Sequence, residues 1–146
     1  MGMFDAMEIS ASGLTAERLR MDVTAQNLAN AQTTRGADGQ PYRRKEVVLA
    51  ERQEQSSFGA ALSGAMNGAK AAGVEVAAIA EDQTPLKQVY DPSHPDADAN
   101  GYVQMPNVDT VAEMVDLISA QRAYEANVTA MQAAKQMFSK TLELLR

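Results

Sequence analysis

Asp96-Ala97-Asp98-Ala99-Asn100-Gly101 places three oxygen-bearing side chains at alternate positions before a glycine, the spacing with which a calcium loop opens. Such a loop also needs a bidentate Glu at its twelfth position, which here is Asn107, and an entering helix, which Pro92 and Pro95 deny. A soluble calcium-binding module is therefore one reading of this stretch, and an Asp/Asn/Gly turn is the simpler one. His94, the single histidine, lies in the same loop and cannot build a multi-histidine metal site. No nucleophile-elbow pattern surrounds any Ser, and no glycine-rich phosphate loop is present. The chain has no cysteine, which removes disulfides, zinc-thiolate sites and thiol nucleophiles. These residues point to no catalytic, cofactor-binding or metal-ligating set, and a small hydrolase is the weakest reading.

Charge narrows the partners. The formal net charge is −6, which argues against nucleic acid and against an anionic membrane surface. Arg43-Arg44-Lys45 is the only basic cluster and reads as a solvated strand end, too small to track a phosphate backbone. The first residues carry Asp5 and Glu8 but no Lys or Arg, unlike a secretory n-region, so no cleavable signal is expected. The longest uncharged run, from Gln55 to Ala69, is too short and too rich in Gly and Ser to span a bilayer. No direct membrane insertion is expected.

The elements that carry these residues are two helices around an irregular middle. Met7, Ala11, Leu14, Met21, Ala25 and Leu28 form one helical stripe that ends near Asn30. Asp5 with Glu8 resembles a capping box that starts this helix. Met114, Leu117, Tyr124, Val128, Met131, Phe138, Leu142 and Leu145 recur at heptad positions, with Gln121 and Lys135 as polar interruptions that can fix register. Thr110 with Glu113 supplies a second capping box, and no Gly or Pro follows Pro106, so a helix of about 35 residues is predicted.

Between the helices, Gly36 to Pro41 reads as a turn, and Glu46–Leu49, Glu75–Ile79 and Gly101–Met105 as short strands. Residues 56–73 are rich in Gly, Ala and Ser and read as an adaptable loop. The fold class is mainly α: long terminal helices forming a coiled-coil-like pair, with a small irregular β-containing middle segment. The boundaries are 1–34, 35–106 and 107–146.

Such a shape implies assembly. At 1.5 Å per residue the last helix is about 52 Å long, whereas a compact globule of this chain length is roughly 38 Å across. A second apolar row follows Ile9, Ala16 and Val23 on the first helix, and Val111, Val115 and Ile118 on the last. A helix pair buries only its facing rows, so the outer ones need further partners. Copies docked head to tail would then grow as a helical filament. A monomeric α+β domain whose middle covers both rows, or a closed antiparallel dimer, satisfies the same periodicity. Nine methionines suit adaptable helix contacts, or simply a Met-tolerant core.

The termini also resemble a known family. Leu14-Thr15-Ala16 and Asp22-Val23-Thr24-Ala25-Gln26-Asn27-Leu28-Ala29-Asn30-Ala31 resemble the N-terminal signature of the flagellar axial proteins. Asn107-Val108-Asp109-Thr110-Val111-Ala112-Glu113-Met114-Val115 and Ala120-Gln121-Arg122-Ala123-Tyr124-Glu125-Ala126-Asn127 resemble the C-terminal one. Gly39 to Arg43, Val89 to Pro92, His94 to Asp98 and Gly101 to Val103 are most similar to the C-type proximal rod proteins.

The resemblance implies a structural subunit of the flagellar basal-body rod, polymerising through its terminal helices into the hollow shaft that transmits torque from motor to hook. Another rod or hook type is the nearest alternative. Its partners would be copies of itself, other rod proteins and, during secretion, the type III export apparatus; its location would be the periplasmic rod. The signature residues carried over are Asn27, Asn30, Asn107, Val108, Glu113, Gln121, Arg122, Tyr124 and Asn127. The assembly interface would comprise Met7, Leu14, Met21, Leu28, Met114, Leu117, Tyr124, Val128, Met131, Phe138 and Leu142. Of these, the first four are expected to meet Leu117, Tyr124, Met131 and Phe138. Asn27 and Asn30 are expected to end the first helix, an intersubunit hydrogen bond being the alternative.

Overall fold

The computed structural model describes residues 3–36, 38–52 and 73–144. Helix α1 spans Met3–Ala29 and helix α2 spans Thr110–Leu144, with four short strands between them: β1 (Lys45–Glu51), β2 (Val74–Glu81), β3 (Lys87–Tyr90) and β4 (Tyr102–Met105). The architecture is mainly α with a small middle segment of paired strands. Most of the Gly- and Ala-rich loop at 56–73 and the heptad position Leu145 lie outside the described residues.

The helix starts differ from the expected ones. α1 already runs from Met3, so Asp5 sits inside its first turn, where a negative charge favours the amino end of the helix. The cap of α2 is Asp109: its Oδ1 accepts the Val111 N–H at 3.0 Å, and its carbonyl accepts the Glu113 N–H at 2.9 Å. The expected box partner Glu113 turns inward instead. α1 ends where expected, and Asn30 terminates it by donating Nδ2 to the Gln26 carbonyl at 2.9 Å.

β1 pairs with β2, and β3 pairs antiparallel with β4 in the register Lys87↔Met105 to Tyr90↔Tyr102. Strand β3 was not legible, because Lys87-Gln88-Val89-Tyr90 is too short and too polar to show an alternation. The chain divides into two compact units. One holds 1–18, 49–77 and 121–146; the other holds 19–48 and 78–120.

In the first unit, Ala16 and Ala134 are buried. Ser12 Oγ donates to the Ile9 carbonyl at 2.7 Å and accepts the Val74 N–H at 3.0 Å, tying the start of β2 to α1. The Arg52 N–H donates to the Gly73 carbonyl at 2.8 Å, and its guanidinium meets Glu8 at 3.1 Å. A Cβ at Gly73 would collide with Ser12 Oγ.

In the second unit, Val23, Val103, Pro106, Val108 and Ala120 form the buried apolar core, joined by the buried polar residues Thr24, Asn27 and Glu113. Here α1 and α2 meet, with Arg20 3.8 Å from Asp116 and Asn27 3.0 Å from Glu113. Lys87 Nζ donates to the Val108 carbonyl at 2.8 Å, fastening the β3–β4 hairpin to the segment before α2.

Candidate functional site

Two features of the second unit concern function: a polar knot on the covered side of α2 and an apolar row on its exposed side. Glu113, only 1% exposed, is at the centre of the knot. Its Oε1 accepts from Arg44 Nε at 2.5 Å and its Oε2 from Asn27 Nδ2 at 3.0 Å. Asn27, equally buried, fills its remaining positions with the residues preceding and opening β1. It donates to the Lys45 carbonyl at 2.8 Å and accepts from the Lys45 N–H and the Tyr42 hydroxyl, both at 2.9 Å.

Asn107 continues the knot. Its Oδ1 accepts the Arg44 N–H at 2.8 Å, and its Nδ2 donates to Thr84 Oγ1 at 2.8 Å and to the Asp82 carbonyl at 3.2 Å. Three signature residues distant in sequence are thus bound to one short stretch, Tyr42 to Lys45. Burying Glu113 without its partners would be costly, as breaking a buried ion pair typically costs about 3–5 kcal/mol.

Arg44 gathers further carboxylates: Asp116 at 3.6 Å, Glu46 at 3.7 Å and Asp82 at 3.9 Å. Its pKa is raised, first by the hydrogen bond to Glu113, with burial opposing. The Tyr42 hydroxyl is also pushed up, by burial first and then by the charges of Glu113 and Glu81. Asp82 is held below the ordinary carboxylate value, chiefly by the backbone N–H of Thr84, then by the Thr84 hydroxyl and the nearby arginines.

The arrangement is one of cohesion and not of chemistry. All these polar groups are engaged with one another. The loop that resembled a calcium site uses its oxygens locally: Asp98 Oδ1 accepts the N–H groups of Asn100 at 2.8 Å and Tyr102 at 2.9 Å, as an Asx turn does. Asp96 is engaged by the Thr34 hydroxyl at 2.8 Å and by Arg35 at 3.7 Å.

The signature residues part into three groups. Asn27, Val108 and Glu113 are buried, while Asn30, Asn107, Tyr124 and Asn127 are half-buried; Gln121 and Arg122 are exposed. Asn27 does not terminate α1; it binds α1 to the middle segment and to α2. Sequence reading missed Arg44 and Tyr42, since Arg43-Arg44-Lys45 looked uniformly solvated and nothing local marks its middle member as the one that turns inward.

Only one of the two heptad rows of α2 differs in burial: Leu117, Tyr124, Met131 and Phe138 are half-buried as a row, whereas the other is displaced by one residue. The most covered positions of α2 are Glu113, Ala120 and Ala134, so the neighbouring Gln121 and Lys135 fall on the exposed side. On α1 the covered row is Ala16 and Val23, which had read as the outer one, while Met7, Leu14, Met21 and Leu28, on another side of the helix, are half-buried. Small residues explain the shift. In the first unit a Cβ on Gly13 would stand only 3.0 Å from Asn127 Nδ2, so the backbone there approaches too closely for a large side chain. Leu117, Tyr124, Val128, Met131 and Phe138 are half-buried, and Leu142 is exposed.

On the opposite side of α2 the second unit displays Val111, Met114, Val115 and Ile118, which are 50–69% exposed. Their spacing of three, four and seven residues puts them on one face. Asp109 and Asp116 flank the row without interrupting it. Such a row on a helix is the mark of an interaction surface.

Comparison with known proteins agrees at both ends of the chain. Residues 7–37 match the family described as flagella basal body rod protein, and residues 99–144 match the flagellar basal body rod FlgEFG protein C-terminal family. Full-length relatives include the flagellar basal-body rod protein FlgC of Bacillus subtilis, 52% identical over 99% of both chains. The FlgC protein of Borreliella burgdorferi is 45% identical over 100% of this chain and 99% of its own. That of an Escherichia coli O6:H1 strain is 47% identical over 99% and 98%. With identity of this order extending from end to end, the chain belongs to the FlgC family of flagellar basal-body rod proteins.

Proposed function

We propose that this chain is a structural subunit of the proximal rod of the bacterial flagellar basal body, and not an enzyme. Membership of the family supports a place in the rod, and the row of Val111, Met114, Val115 and Ile118 is the observation that carries the mechanism. A fourfold apolar face left in water costs free energy that a neighbouring helix recovers by covering it. On this reading copies of the chain and other rod proteins pack their terminal helices together as coiled coils, and rigidity arises from many interlocked helices sharing the torque.

The same reading places the subunit in the periplasmic rod after passage through the type III export apparatus. No helix of the described residues is long and apolar enough to cross a membrane. The proposed interface further includes Met7, Leu14, Met21, Leu28, Leu117, Tyr124, Val128, Met131, Phe138 and Leu142. The test is a Met114→Asp, Ile118→Asp double variant. It should retain the circular dichroism of the unaltered chain, yet be absent from isolated basal bodies and leave cells non-motile. Normal swimming with the variant incorporated would reject the row as an assembly face.

A further inference from the structure

We infer that the knot of Asn27, Glu113 and Arg44 makes the pairing of α1 with α2 in the second unit conditional on docking of the middle segment. The inference starts from an asymmetry in the hydrogen bonds. Asn27 and Glu113 are each 1% exposed, and they lie on helix faces that meet. Yet between themselves these two side chains share a single bond, from Asn27 Nδ2 to Glu113 Oε2. Among the described residues, every other bond of these two side chains is made by Tyr42, Arg44 or Lys45.

Two helices alone would therefore close over a carboxylate lacking its cation and an amide oxygen lacking both its donors. Water satisfies those groups better than such an interface does, so the pair stays open until residues 42–45 arrive. Apolar residues at positions 27 and 113 would remove that restraint, and the helices would close with or without the middle. Asn107 extends the restraint, since its oxygen binds the Arg44 N–H while its amide holds Asp82 and Thr84.

The consequence rests on the assembly reading above. The row of Val111, Met114, Val115 and Ile118 lies on the same first turns of α2 whose other face carries Glu113. Its geometry is settled only in a chain whose middle segment is docked. An incompletely folded subunit thus lacks a finished docking face.

Native-state hydrogen exchange on the purified full chain tests the coupling. In the unaltered protein, amides of residues 20–28 and 111–119 should open together with those of 88–90 and 102–105, at one common rate. Arg44→Met should speed both sets by the same factor, at least about tenfold. The triple variant Asn27→Leu, Arg44→Met, Glu113→Leu should uncouple them, leaving the helix amides protected after the hairpin amides have exchanged. Helix amides that open at their own rate in the unaltered chain would overturn the inference, as would a triple variant whose two sets still open together. The coupling is read in the isolated chain, whereas the assembly reading fails on motility, so the two failures are distinct.

Discussion

Asn27 binds Lys45 as a neighbouring strand would: its side-chain amide donates to the Lys45 carbonyl at 2.8 Å and its amide oxygen accepts the Lys45 N–H at 2.9 Å. A helical side chain thereby occupies the hydrogen-bonding edge with which β1 begins. The exchange is specific to a carboxamide of this length.

Asn27→Asp keeps the shape but replaces the donating nitrogen with an acceptor that faces Glu113 and the Lys45 carbonyl. The expected loss is about 3 kcal/mol or more, since two buried partners are left unsatisfied and one repulsion is added. Urea unfolding followed by circular dichroism measures it. A change within experimental error would show that the knot contributes nothing.

A double-mutant cycle separates the pair from its burial. Arg44→Met alone should destabilise by about 3 kcal/mol, because it strands the Glu113 carboxylate. Adding Glu113→Leu should restore most of that loss, and the coupling between the two sites should exceed about 1 kcal/mol. Additive effects would mean that the two side chains act independently.

The lowered pKa of Asp82 sets an acid dependence. Its carboxylate binds protons less readily in the folded chain than in the unfolded one, whose value is near 3.8. The stabilisation is therefore complete above that value and is lost as the pH falls through the lower folded-state pKa. Asp82→Asn should flatten the decline of the unfolding midpoint below about pH 4. An unchanged profile would assign the acid sensitivity to other carboxylates.

Two glycines offer a controlled comparison. Gly101 has φ +80°, and a Cβ there would lie 2.9 Å from Tyr90 Cε2 and 3.2 Å from Pro92 Cβ; Gly39 has φ +74° with open space around it. Gly39→Ala should cost only the backbone penalty of about 1–2 kcal/mol. Gly101→Ala should cost more, because the Tyr90–Tyr102 edge-to-face contact at 5.3 Å must give way. Thermal melts of both variants decide it, and equal losses would argue against the clash.

The long helices were legible because helical periodicity sustained over most of 27 and 35 residues leaves few alternatives. Met114 and Gln121 lie one residue after the buried Glu113 and Ala120, a displacement of one row too small to alter the extent of the helix. Size misled the reading: Leu and Met look like core, yet the small residues Ala16, Ala120 and Ala134 are the more deeply buried ones. The polar knot was only half visible. Its asparagines and Glu113 stood out within the signatures, but the long-range bonds from Arg44 to Glu113 and from Asn107 to Thr84 have no local pattern to announce them.

The bond from the Arg52 N–H to the Gly73 carbonyl brings together the two points where the chain leaves the β1–β2 ribbon and re-enters it. Ser12 and Glu8 fix both sides of that doorway to α1. Whatever is spliced between Arg52 and Gly73 inherits a ready-made anchorage, so this position is a natural port for an epitope or a fluorescent reporter.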